Sequence, residues 1–144
     1  MKTFGPIIAE RRLVVQGTRK VVRVSIGAPR PGGDRAPWVC PFRISGAGLS
    51  RVEHGGCGED SMQALTTALE GIRAVLDETG LALGWDLGGF VWDGETGFAQ
   101  AISYGFGPVV RRRMERLVAR ELRAEVQRLK RRRTPTRRTA PKAR

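Results

Sequence analysis

Chemistry at a protein site needs nucleophiles, bases, metal ligands or fixed charges, and this sequence holds few of the first three. His54 is the one histidine, and Cys40 and Cys57 are the two thiols. A single imidazole excludes multi-His metal sites and most His-based catalysis. His54 and Cys57 lie three apart, so a regular strand would set them on opposite faces. Gly55-Gly56 between them could bend the chain and form a Cys–His dyad; a part-buried imidazole beside a structural thiol is the simpler reading. Cys40, Cys57 and His54 supply three zinc ligands, where a structural site takes four, and no C-x-x-C occurs. No cofactor is therefore expected. Asp86, Asp93 and Glu95 could pair as carboxylates or bind a cation, but their spacing fits no known loop, and solvated turn residues are expected. Gly55–Gly58 precedes a helix start, yet Glu59 and Asp60 would repel a phosphate there. No Walker or G-x-G-x-x-G pattern is present.

Charge and aromatic placement are more informative. The 144 residues carry a net charge of +12. Residues 1–107 hold 11 Lys+Arg and 11 Asp+Glu, while residues 108–144 hold 15 and 3. A near-neutral body with a basic extension follows. No Lys or Arg falls between Arg73 and Arg111, and that gap contains Asp77, Glu78, Asp86, Asp93 and Glu95. Six of the nine aromatics also cluster in residues 84–107. Trp85, Phe90, Trp92, Asp93 and Phe98 are thus the candidates for a protein-binding surface, because aromatics are enriched at interface hot spots. That Trp85, Phe90 and Trp92 cap the core on loops is the simpler reading. For nucleic acid the candidates are Arg111, Arg112, Arg113, Arg116, Arg120, Arg123, Arg128, Lys130, Arg131, Arg132, Arg133, Arg137 and Arg138. The basic segment could instead meet the acidic 74–110 stretch of its own chain or of a second copy, or have no specific target.

Elements must position these residues. Residues 7–15 and 20–27 read as a hairpin, with Val22, Val24 and Ile26 on one face. Residues 28–37 read as a loop. In 38–44, Trp38, Cys40, Phe42 and Ile44 share a face, and Pro41 places the strand at an edge or a bulge. A fourth strand is expected over 49–54, ended by the glycines at 55–58. Asp60 is a helix N-cap, with Gln63 three residues on. The stripe Met62, Leu65, Leu69, Ile72 and Leu76 predicts a helix over 61–79, stopped by Gly80. Residues 81–107 give no clear pattern. A second helix is expected over 109–133, its stripe running Val110, Met114, Leu117, Val118, Leu122, Val126 and Leu129. Residues 134–144 have no apolar pattern and read as disordered.

The segments Ile8–Arg11, Ile26–Pro29, Trp38–Ile44 and Gly58–Leu65, with the Gly-rich stretch from Trp85 to Gly97, are similar to a family of small, uncharacterised bacterial domains. The resemblance covers residues 8–97. It implies a compact α+β domain from a bacterium and no particular activity. The basic extension departs from it.

The expected architecture is α+β: a four-stranded, mainly antiparallel sheet packed by one helix (1–107), a basic amphipathic helix (108–133) and a disordered tail (134–144). No run of 18 apolar residues and no signal peptide is apparent, so a cytoplasmic protein is expected. The expected function is non-catalytic, an adaptor or immunity-like module binding a protein partner. The alternative is sequence-independent nucleic-acid binding through the basic helix and tail.

Overall fold

The computed structural model describes residues 4–100, 102 and 104–133. The chain divides into two compact units, Met1–Ala101 and Ile102–Arg144. Among the described residues, the first is an antiparallel sheet of seven strands, with one helix on one face. β1 (Ile7–Val15) and β2 (Val21–Gly27) form the expected hairpin. Its turn is closed by Thr18, whose amide and hydroxyl both donate to the Val15 carbonyl, at 3.1 and 2.9 Å. β4 (Trp38–Gly46) and β5 (Leu49–Gly58) form a second hairpin over Ala47-Gly48. Both turn residues have positive φ, 53° and 82°, the geometry that suits a two-residue connection between right-twisted strands.

The four-strand expectation falls short in three places. β3 (Arg30–Pro31) lies inside the supposed loop and pairs with the start of β4. β6 (Leu83–Asp86) and β7 (Val91–Asp93), in the stretch without pattern, extend the sheet past β1. These three strands are too short for alternation to show in the sequence. Pro41 does not mark an edge. β5 pairs with all of β4 on one side, while β2 and β3 share the other, pairing with Phe42–Gly46 and Trp38–Val39. Pro41 sits in the gap between those two partners, where its missing N–H leaves no ladder bond unmade.

The glycines at 55–58 do not end β5; they are part of it. α1 (Ser61–Glu78) crosses directly above. A Cβ on Gly56 would lie 2.1 Å from the Ala68 nitrogen and 2.5 Å from the Ala64 carbonyl oxygen. One on Gly58 would lie 2.4 Å from the Ala64 nitrogen. The helix can therefore rest on the strand only where both surfaces are small. This contact rotates α1 away from the expected stripe. Ala64, Ala68, Ile72 and Leu76 are buried, whereas Met62 is 70% exposed and Leu69 39%. Leu65 packs only at the margin of the core. The start of α1 follows expectation: Asp60 Oδ1 accepts from the Gln63 amide at 2.8 Å, and Gln63 Oε1 accepts from the Glu59 amide at 2.7 Å. Leu13, Val22, Val24, Ile26, Cys40, Phe42 and Ile44 complete the core from the sheet.

The second unit holds a short 3-10 turn, Tyr104–Phe106, and α2, Gly107–Arg133. Pro108 occupies the first turn of α2, where a missing amide proton costs nothing. The tail expected to be disordered lies outside the described residues.

Three stability measurements test the helix–strand contact and the observed helix face. Gly56→Ala should destabilise by about 3 kcal/mol or more, because backbone must move. Met62→Ala should change stability by less than about 0.5 kcal/mol, and Ile72→Ala should cost about 2–5 kcal/mol. Urea unfolding of the three variants reads all of this.

Candidate interaction surfaces

The aromatic candidates do not form one surface. Trp85 on β6 is cross-strand neighbour to Leu13 and Trp92. It is half-buried, and Phe98 is buried in the core. Phe90 and Trp92, by contrast, are 65% and 52% exposed. They belong to the terminal hairpin with Leu87 and Asp93, both also exposed. Asp86 orders the turn of that hairpin by accepting from the Gly88 amide at 2.9 Å.

Trp85 and Phe98 converge on a residue that sequence reasoning passed over, Arg11. Its guanidinium carbon lies 4.1 Å from the centroid of the Trp85 ring and 4.5 Å from that of Phe98. Cation–π attraction of this kind strengthens as water is removed. Arg11 Nη1 also donates to the Thr96 carbonyl at 3.1 Å. From α1, Arg73 Nη1 donates to the Phe98 carbonyl at 2.7 Å. The segment Thr96–Phe98 is thus tied down from both sides. Gly97 makes this possible: it has φ +70°, and a Cβ there would lie 2.6 Å from Arg11 Nη1 and 2.7 Å from the Trp85 ring. A signal for Arg11 was present. It interrupts the inward row Ala9, Leu13, Val15 of β1 with a cation. Burial pulls its pKa below the usual arginine value. Beside it is a hollow of about 140 Å³, walled by Ala9, Val24, Ile26, Leu69 and Phe98.

The opposite face of the sheet carries paired charges. Arg12 meets Asp86 at 3.2 Å, and Arg23 meets Glu10 at 3.6 Å. Arg43 donates to Glu53 at 2.6 Å, and Arg51 joins the same carboxylate. Hydrogen bonds from Arg51 and then Arg43 hold the Glu53 carboxyl below its ordinary pKa. The Gly88 amide and then Arg12 do the same for Asp86.

The candidate dyad is not assembled. β5 continues through Gly55-Gly56 without turning, so His54 and Cys57 fall on opposite faces. His54 faces the Phe42 ring, with centroids 6.0 Å apart. Cys57 is exposed, whereas Cys40 is fully buried and its thiol donates to the Gly27 carbonyl at 3.5 Å. Burial pushes the Cys40 pKa up. Both cysteines are free. Among the described residues no three His, Cys, Asp or Glu side chains group as metal ligands. Asp86 bonds Arg12 and the turn, while Asp93 and Glu95 are exposed.

Of the basic candidates, Arg111, Arg112, Arg113, Arg116, Arg120, Arg123, Arg128, Lys130, Arg131, Arg132 and Arg133 lie on α2. Ion pairs along it include Arg111–Glu115 at 3.0 Å, Arg120–Glu121 at 3.3 Å and Arg128–Glu125 at 2.7 Å. Arg137 and Arg138 lie outside the described residues. Among those described, no helix is long and apolar enough to cross a membrane.

These features define a small α+β domain followed by a basic helix. Residues 9–99 match the family model of a domain of unknown function, DUF6968, and the chain belongs to that family. No curated protein and no solved structure matches the chain.

Two titrations follow from this geometry. In the native protein a thiol reagent should modify Cys57 alone, with Cys40 reacting only on unfolding. Glu53 should titrate below the ordinary glutamate value of about 4.3. Its contribution to stability is present above that value and fades as pH falls through the lowered folded pKa. Carboxyl NMR of Arg51→Met should show Glu53 moving back up.

Proposed function

We propose that this chain is a non-catalytic interaction module that engages a protein partner through the β6–β7 end of its sheet. The exposure of Phe90 and Trp92 carries this reading. Large aromatics supply binding energy when a partner takes them from water. β7 ends the strand order, and among the described residues it pairs only with β6. An extended segment of a partner could continue the ladder there, using main-chain hydrogen bonds for affinity and side-chain contacts for choice. Exposed Asp93 and Glu95 would favour a basic segment.

The test is photo-crosslinking in cells of the source organism, from a probe amino acid placed at position 92. A recurrent protein adduct is expected, and Phe90→Ser should reduce its yield while leaving the circular dichroism unchanged. Adducts no different from those of a probe at exposed Arg19 would overturn the reading.

A second reading rests on the distribution of residues around α2. At about 100° per residue, Arg112, Arg113, Arg116, Arg120, Arg123 and Arg131 fall within an arc of about 100°. The apolar residues from Val110 to Leu129 fall outside that arc. One arginine face of this kind suits a phosphate backbone without base reading. Fluorescence anisotropy with duplex DNA should show affinity falling steeply with salt. Changing Arg112, Arg116, Arg120 and Arg123 to Gln should flatten the log–log slope by about 3.6. An unchanged slope would count against this reading.

A further inference from the structure

Two arginines of the sheet, Arg11 and Arg30, pair with no carboxylate among the described residues; Arg30, opposite Val39 on the outward face, donates to the Phe4 carbonyl at 3.2 Å. Arg12, Arg23, Arg43 and Arg51 each have a carboxylate partner within ion-pair distance. Arg11 lies on the inward face, and among the described residues no carboxylate pairs with it. A guanidinium has five N–H donors in a planar fork. The Thr96 carbonyl accepts one of them. The aromatic rings of Trp85 and Phe98 stabilise the cation but accept no in-plane hydrogen bond. The remaining donors match what a carboxylate takes in a bidentate pair.

The adjoining hollow completes the chemistry. Its walls are apolar apart from Arg11 and Glu10. Glu10 does not oppose an anion inside, because its carboxylate belongs to the other face of the sheet. There it accepts from Ser25 Oγ at 2.9 Å and lies 3.6 Å from Arg23. Leu69, which lines the hollow, is 39% exposed, so solvent reaches it there. The volume of about 140 Å³ is close to the roughly 150 Å³ of an apolar cavity that admits benzene.

We propose that the hollow beside Arg11 binds a small organic carboxylate, with Arg11 taking the carboxylate oxygens and Ala9, Val24, Ile26 and Leu69 enclosing a compact apolar tail. Recognition needs both parts. A tail without charge leaves the arginine without its anion. An anion without a tail gains nothing from the apolar walls. This site is independent of the partner surface at β7.

The probe is benzoate, titrated calorimetrically into the full chain. Benzyl alcohol serves as the uncharged counterpart. Inorganic phosphate measures the general attraction of the basic extension for anions. One benzoate should bind with a dissociation constant of about 1 mM or tighter. Benzyl alcohol and phosphate should each bind about tenfold more weakly or less well. Arg11→Met should weaken benzoate by about tenfold or more, with phosphate binding unaltered. Leu69→Trp retains Arg11 and fills the hollow, so it should also weaken benzoate. If Arg11→Met fails to fold, Leu69→Trp decides the matter. Benzoate binding no tighter than phosphate, or unaffected by Leu69→Trp, would overturn the proposal.

Discussion

The close approach of α1 to β5 sets the rest of the first unit. At Gly56 and Gly58 the backbones come so near that a single methyl group on the strand would collide with the helix. Burying backbone against backbone at this distance leaves no room for a large side chain between them. The helix must therefore present Ala64 and Ala68, and larger residues enter the core only farther along, at Ile72 and Leu76. α1 settles over β4 and β5 as a result. On the same face, the β1–β6 side of the sheet is covered by the segment Thr96–Phe98 instead. That cover is thin, and it is held by two arginines rather than by a second helix.

This asymmetry places the surfaces that could act. Over β1 and β2 the cover leaves a hollow, with Arg11 at its wall and apolar residues around it. Beyond β1, the β6–β7 hairpin carries aromatic side chains into solvent. The paired charges of the opposite face need no partner to satisfy them. The basic excess of the chain lies in the second unit and its continuation, apart from the near-neutral first.

Much of this was legible in the sequence where elements are long and one face is uniform. β2 and β4 declare themselves by alternation, β1 by its Ile, Leu and Val content, and Asp60 with Gln63 marks the start of α1. Membership of a small α+β family also showed in short segments. What failed did so for physical reasons. Hydrophobicity alone favours Met62 and Leu69 over Ala64 and Ala68, but the glycines beneath reward small volume, not apolar character. The same glycines read as a break because glycine is common in turns, and here the neighbour above requires it. Pro41 suggests an edge only if both sides of a strand are paired without interruption. Arg11 drew no reading of its own, because its aromatic partners come from residues more than 70 positions away. The core-capping reading covers Trp85, Phe90 and Trp92 together; of these Trp85 packs against the core while Phe90 and Trp92 are exposed, and Phe98, outside that reading, is buried.

Amide hydrogen exchange on the full chain tests the central claim, that a glycine-lined helix–strand contact organises the first unit and leaves its β6–β7 end lightly held. The account predicts that amides of β4, β5 and α1 are the slowest to exchange and open together, including those of residues 55–58. Amides of β7 and its turn should exchange far faster. Residues 55–58 exchanging as rapidly as β7, while the remainder of α1 stays protected, would contradict it.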